Sequence, residues 1–172
     1  LMEESDGYME EALRLARKAY EAGDVPIGAV LVYDGTVPVS PMGKLCREMD
    51  ILPGTVLGRG WNQRNAKKNA LYHAEIFAIE EACKKIGDWR LEDCTLYVNL
   101  EPCPMCAGAI VMSRISRVVY GSTDSKAGAC ESLFNITGCP GLNHQPDVCA
   151  GVLAEECAAL LKNFFRERRK RG

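Results

Sequence analysis

The residues of this chain whose types and spacing can do chemistry are one histidine, one glutamate and two cysteines. His73 and Glu75 are separated by a single residue, and Cys103 and Cys106 form a Cys-x-x-Cys directly after Pro102. A catalytic zinc ion needs three protein donors, nitrogen or thiolate, and one position left for water. His73, Cys103 and Cys106 supply that set. Two cysteines three apart at a helix start can aim both sulfurs at one point, and the unpaired N–H groups of the first turn favour thiolates. Glu75 would sit about 200° around a helix from His73, badly placed to bind the same ion but well placed to line the cavity beside it. There a carboxylate can take a proton from water and return it to a ring nitrogen and then to a leaving amine. Hydrolytic removal of an amino group needs such a shuttle.

Each piece has a plainer reading alone. A His-x-Glu recurs by chance, a Cys-x-x-Cys serves redox pairs, and a proline before cysteine can be a simple turn. The joint pattern, His-x-Glu opening one helix and Pro-Cys-x-x-Cys opening the next, is the established signature of the zinc deaminases. Structural zinc is the sharper rival. His144, the other histidine, could close a four-donor site with no room for water. Asn143 and His144 follow Pro140-Gly141 in a turn-rich segment, where an exposed role touching substrate is equally open.

The elements that must position these residues alternate in type. Met9, Ala12, Leu13, Ala16, Ala19 and Tyr20 recur at helical spacing before Gly23, which predicts a helix over about 6–22. Ile27 to Tyr33 and Val56 to Asn62 read as two strands of a hairpin. Between them, about 36–54 holds three prolines and shows no clear period. Gly35-Thr36-Val37 recurs as Gly54-Thr55-Val56, so removing what lies between would leave an ordinary tight hairpin. The stretch is expected to be a surface insertion with Cys46 as an exposed thiol; a lid over the active site is the alternative. A second helix is expected over about 73–86 with Ile76, Ile79, Cys83 and Ile86 on one face, and a strand over 94–100. A helix from Pro104 to about Ser113, where proline suits the first turn, a strand over 117–121, a turn-rich stretch over 124–147 and a final helix from about Leu153 complete the chain. The expected fold is an α/β layered domain.

Length and composition bound the answer. The chain's 172 residues, 47% of them hydrophobic, suit one compact domain over 1–172. The formal net charge is -2, but the last eleven residues carry +5 and the remainder -7. That balance argues against a general nucleic-acid coat and permits local contact with a polyanion through Arg166–Arg171 or through Arg64, Lys67 and Lys68. The start lacks the layout of a secretion signal, and no apolar run is long enough for a membrane span. Nine cysteines, an odd number, suit a reducing cytoplasm better than a disulfide framework.

Over nearly its whole length the chain resembles the bacterial tRNA-specific adenosine deaminases. The resemblance rests on Val25-Pro26-Ile27-Gly28-Ala29-Val30, Gly60-Trp61-Asn62, His73-Ala74-Glu75, Thr95-Leu96-Tyr97-Val98 and the run Leu100 to Ala109. It continues through Val118-Val119-Tyr120-Gly121, Asn143-His144 and Glu155 to Leu161; only the hairpin insertion departs from it. The zinc motif alone indicates the wider superfamily; the Glu101 to Ala109 run and the final helix are specific to the tRNA group. The resemblance implies a three-layer α/β/α cytidine deaminase-like fold with a mixed central sheet of about five strands. It also implies a homodimer, one Zn2+ per subunit, and conversion of adenosine to inosine at the wobble position of an anticodon stem-loop. In that reading Asn62 would bond the adenine ring, the backbone near Ala74 would hold its edge, and Glu75 would protonate N1. Asp124 would meet a sugar hydroxyl, and Asn143 and His144 would touch substrate. A deaminase of free guanine, cytosine or a nucleotide, and a non-catalytic zinc-stapled RNA-binding module, are the competing readings.

Overall fold

The computed structural model describes residues 2–172, with side chains from residue 4 onward. Five strands, β1 (Gly28–Tyr33), β2 (Val56–Trp61), β3 (Cys94–Leu100), β4 (Arg117–Ser122) and β5 (Asp147–Ala150), form one sheet in the order β2-β1-β3-β4-β5. The sheet is mixed: β1 runs antiparallel to β2 and β3, whereas the β3-β4 and β4-β5 pairs are parallel. The helices are α1 (Met2–Glu21), α2 (Pro41–Glu48), α3 (Arg64–Lys67), α4 (Ala74–Ile86), α5 (Pro104–Met112) and α6 (Ala154–Arg171).

All six residues of β1 are buried, as a strand covered on both faces requires. Ala29, Leu31 and Tyr33 turn to a core shared with α4, α5 and α2, while Val30 and Val32 turn to a second core shared with α1 and α6. Helices on both faces of a mixed five-stranded sheet are the three-layer α/β/α arrangement expected. Among the described residues no helix is long and apolar enough to cross a membrane.

Strand register gives the sheet two distinct edges. Leu100 and Ser122 end β3 and β4 side by side, and the antiparallel register sets Gly28 and Trp61 at that same end. This is the C-terminal edge of the parallel strands. Tyr33, Val56 and Cys94 lie at the opposite, N-terminal edge.

Three expectations are corrected. First, the 36–54 segment is not irregular: it contains α2, started by Ser40, whose side chain accepts from Gly43 N at 3.0 Å, with Pro41 in the first turn. Met42 and Cys46 are buried in the α4-side core and Ile51 packs against it, so Cys46 is no exposed thiol. Burial raises the Cys46 thiol pKa. Met42, Leu45, Cys46 and Met49 do carry the helical period; the flanking prolines obscured it. The hairpin closes behind the insertion through Gly54 N to Tyr33 O (2.7 Å) and Tyr33 N to Thr55 O (3.0 Å), at the N-terminal edge. Second, the inward face of α4 is wider than expected: Ala74, Ala78 and Ala82 are buried with Ile86, while Ile79 and Cys83 pack against the same core, and only Ile76 of the expected face falls outside it. The cause is Gly58 and Gly60 on β2: a Cβ at either would collide with the α4 backbone at Ala78 or Ala74, so the alanine ridge lies directly on the strand. Third, the turn-rich stretch ends in β5, a four-residue edge strand too short and exposed to show a period.

Candidate metal centre

The two ligand-bearing helices start at the C-terminal edge. β3 leads through Glu101 and Pro102 into α5, and β2 leads through residues 62–73 into α4. His73 is the N-cap of α4 and Cys103 the N-cap of α5; both have extended backbone, and neither side chain caps its helix. His73 and Cys103 occupy the positions that usually satisfy first-turn N–H groups, so their side chains remain free to turn toward each other.

The turn brings them together. Cys103 Sγ and Cys106 Sγ lie 3.5 and 3.6 Å from His73 Nδ1, and all three donor atoms lie within 4.8 Å of one another. Tetrahedral zinc, with bonds of about 2.3 Å to sulfur and about 2.05 Å to nitrogen, sets sulfur and nitrogen about 3.6 Å apart. The donor set therefore fits that ion in element type and spacing. The facing Cys106 thiol, and then His73, hold the Cys103 thiol down to about 4, while Cys103 and burial push Cys106 well up. Two sulfurs this close cannot both ionise without a cation between them.

Glu75, in the first turn of α4, is 3% exposed. Burial raises its carboxyl to about 6, and the charge on Cys103 adds to the rise. It stands beside the sulfurs and outside the three-donor group. His144 stands far from that group: β5 pairs in parallel with β4 from Asp147 and Arg117 onward, so residues 143–146 lie at the N-terminal edge. There His144 Nε2 meets Ile115 O at 2.6 Å, beyond the far end of α5. The nine residues of α5, about 13 Å of helix, separate that end from Cys103. A fourth donor from His144 is not compatible with that register. A cleft of about 320 Å³ lined by Trp61, Gln63, Phe77 and Lys84 also leaves the cluster out.

The remaining expected residues do stand at the C-terminal edge. Asn62 is 5% exposed and tied three ways: its N–H donates to Ile27 O (2.9 Å), its Nδ2 to Val25 O (3.1 Å), and its Oδ1 accepts from Arg64 N (3.1 Å). Ala74 is fully buried against Gly60. Asp124 follows β4, and its Oδ1 accepts from Lys126 N (3.0 Å) and Ala127 N (3.3 Å).

Three supporting residues escaped the sequence reading. Asn99, fully buried in β3, accepts from Gly28 N and donates to Pro26 O, both at 2.8 Å, which clamps the chain on either side of Ile27, one of Asn62's partners. Asp24, 1% exposed, accepts from Asn65 N (2.7 Å) and Ala66 N (3.0 Å) and thereby fixes α3. Glu101, 2% exposed and two residues before Cys103, accepts from the N–H groups of Asp124, Cys130, Glu131 and Ser132 at 2.9–3.1 Å and from the Ser132 hydroxyl. Burial alone would raise its pKa, but these donors outweigh it and hold the carboxyl below its ordinary range. The signal was a lone polar residue in or beside an apolar strand, which composition does not distinguish from a surface residue.

Comparison with known proteins bears on this arrangement. The model of the MafB19-like deaminase family matches residues 3–169. The tRNA-specific adenosine deaminase of Bacillus subtilis is 45% identical over 170 residues, 99% of this chain and 94% of that protein. The protein of that name from Haemophilus influenzae is 43% identical over 94% of this chain and 83% of its own length. A structure from a study of A-to-I editing by tRNA:A34 deaminases at the wobble position of transfer RNA superposes with a TM-score of 0.76 at 40% identity, covering 90% of this chain and 98% of that one. A guanine deaminase from Nitrosomonas europaea shares the fold, with a TM-score of 0.71 at 22% identity over 92% of this chain and 83% of its own. With the cluster, the layered fold and this identity along almost its entire length, the chain belongs to the tRNA-specific adenosine deaminases.

Proposed function

We propose that residues 1–172 act as one deaminase domain that converts adenosine to inosine at the wobble position of a tRNA anticodon, with Zn2+ as the resident metal, one per subunit. His73, Cys103 and Cys106 hold the ion. Bound there, zinc supplies the Lewis acidity that makes water a nucleophile near neutral pH. Glu75 takes the proton that the water loses as its oxygen bonds to C6 of adenine, and delivers it to N1. A second proton passes through the same carboxyl to N6, the C6–N6 bond breaks, and ammonia leaves. Asn62 orients the ring with the one Nδ2 hydrogen and the Oδ1 lone pair that Val25 and Arg64 leave free. The Ala74 backbone holds the ring's edge, and Asp124 offers its second oxygen to a ribose hydroxyl. An anticodon loop is single-stranded, so its base can enter the pocket without opening a duplex.

The observation that carries this reading is the convergence of three zinc-type donors and a buried carboxyl on one sheet edge, in a chain whose relatives are named for this activity. Incubating the zinc-loaded protein with an anticodon stem-loop containing the wobble adenosine, and separately with free guanine, cytosine and adenosine, tests it. Inosine in the stem-loop is expected; turnover of free bases alone would overturn it. A homodimer and a cytoplasmic working place follow from the family and from the substrate. Exposed Met112, Leu133 and Phe134 offer apolar surface for pairing, and light scattering should give twice the 18.9 kDa chain mass.

A further inference from the structure

Asn99 is the last residue but one of β3 and is fully buried, on the face of the sheet where Tyr97 packs with Met9 and Val30 in the α1-side core. The backbone ladder between β1 and β3 ends just before it, at Ala29 and Val98. From there the side chain takes over: Gly28 N donates to Asn99 Oδ1, and Asn99 Nδ2 donates to Pro26 O. An amide buried in an apolar layer costs free energy unless its polar atoms are bonded, and these two bonds are what Asn99 makes there.

On its other side the same strip of chain holds Asn62. The β1-β2 ladder ends at Gly28 and Trp61. Beyond it Asn62 donates to Ile27 O through its N–H and to Val25 O through Nδ2. Residues 25–28 therefore lie between two asparagines, with their carbonyls alternating: Val25 and Ile27 to Asn62, Pro26 to Asn99. α1 closes a third side, because a Cβ at Gly28 would collide with the backbone of Ala12 and Ala16. A strip held on three sides passes a displacement at one contact on to the others.

Asn99 also belongs to the strand that delivers two of the metal donors, since β3 continues through Glu101 and Pro102 to Cys103. Its side chain thus connects the half of the site that carries Cys103 and Cys106 to the half that carries Asn62, although neither of its bonds reaches a donor or Asn62 itself. We propose that Asn99 is a positioning residue for the deamination: through Pro26 and Gly28 it fixes the direction of the Asn62 amide relative to the cysteines, and hence where C6 of the adenine ring stands relative to the metal centre. This deepens the proposed function and rests on its assignment of Asn62 to the ring.

Two variants of the zinc-loaded protein test it. Asn99→Leu keeps the bulk and removes both bonds; Asn99→Asp keeps the acceptor for Gly28 N and replaces the donor to Pro26 O. The readings are the side-chain amide resonances of Asn62 by NMR, the zinc content, and kcat and Kd with an anticodon stem-loop containing the wobble adenosine. The Asn62 resonances should shift in both variants, further in Asn99→Leu. In that variant kcat should fall by about 10²-fold, the cost of misplacing a reacting group by about 1 Å. Zinc content should hold, and so should Kd, because affinity for a nucleic acid comes largely from its phosphates. A residue that served the fold alone would lower the melting temperature and move neither Asn62 nor kcat. Asn62 resonances at their wild-type positions, an unchanged kcat in Asn99→Leu, or loss of zinc along with kcat overturns the proposal; if Asn99→Leu does not fold, Asn99→Asp decides on the same readings. No inosine from wild type would instead refute the deaminase reading, and the resonances alone would then uphold or remove Asn99's hold on Asn62.

Discussion

α2 on the one hand, and α4 and α5 on the other, begin in opposite ways. α2 starts as an isolated helix should: Ser40 accepts from Gly43 N and proline follows in the first turn. α4 and α5 have His73 and Cys103 at the same position, and neither caps anything. Local stability is built in at the N-terminal edge of the sheet and given up at the C-terminal edge. The side chain that would cap each of these helices is left free to join the three-donor cluster, and support comes from further away. Asn99, Asp24 and Glu101 fix the loops around the site with buried bonds that reach across 23 to 73 residues of sequence. A sheet edge can thus exchange near-neighbour stabilisation for reactive groups, provided that buried polar residues hold the surrounding backbone.

Cys103→Ser puts that contrast under the greatest strain. Serine is a better N-cap than cysteine, so the metal-free variant should melt no lower than the metal-free wild type and be up to about 1 kcal/mol more stable. Zinc content and turnover should both fall to background. Retention of stoichiometric zinc would show that the N-cap position is not the ligand.

Glu75→Gln is the next largest change and separates proton transfer from metal binding. Turnover should drop by about 10²–10⁴, with one zinc per subunit still measured by atomic absorption. Loss of zinc along with activity would make Glu75 part of the metal's support rather than the proton carrier.

Glu101→Gln tests the distant support. The amide keeps only one acceptor oxygen for N–H groups that come from both sides of the 124–132 loop, and a buried donor left without a partner costs about 1–3 kcal/mol. With one or two orphaned donors at about 1 kcal/mol each, the low end of that cost, the midpoint should fall by about 2–8 °C for a chain of this size. The expected readout is thermal unfolding of the zinc-loaded protein, with Glu75→Gln as the unshifted control. A midpoint within 1 °C of wild type, on the order of the smallest shift resolved, would remove Glu101 from its role.

What the sequence made legible follows the same division. Candidate donors are defined by short-range identity and spacing, so the convergence of His73, Cys103 and Cys106 could be read directly, as could the strand at Cys94–Leu100, whose apolar run has no competing period. The support could not. Glu101 meets residues up to 31 positions away, and no local pattern marks an acid that folding will bury under five donors. The alanine half of the inward face of α4 was hidden for a related reason: Gly58 and Gly60 decide it from another element, by admitting the Ala74 and Ala78 backbone beside Ile79, Cys83 and Ile86. The place of Asn143-His144 in the fold was hidden because the short strand β5, invisible in the sequence, sets the sheet edge at which those residues lie.

The smallest effect belongs to α2 and completes the contrast. Ser40→Ala removes the bond to Gly43 N and should lower stability by about 1 kcal/mol, a shift of about 2–4 °C in the midpoint. Deamination of the stem-loop at 25 °C should be unchanged, because α2 lies at the N-terminal edge while Asn62 is held by Ile27 and Val25 at the other. The register argues for this independence: β1 and β2 pair continuously from Gly28 and Trp61 to Leu31 and Gly58, and the one register shift falls between Leu31 and Val32, on the insertion's side. A fall in turnover matching the fall in stability would mean that the bulge transmits strain along the hairpin to Asn62, and that the two edges are coupled.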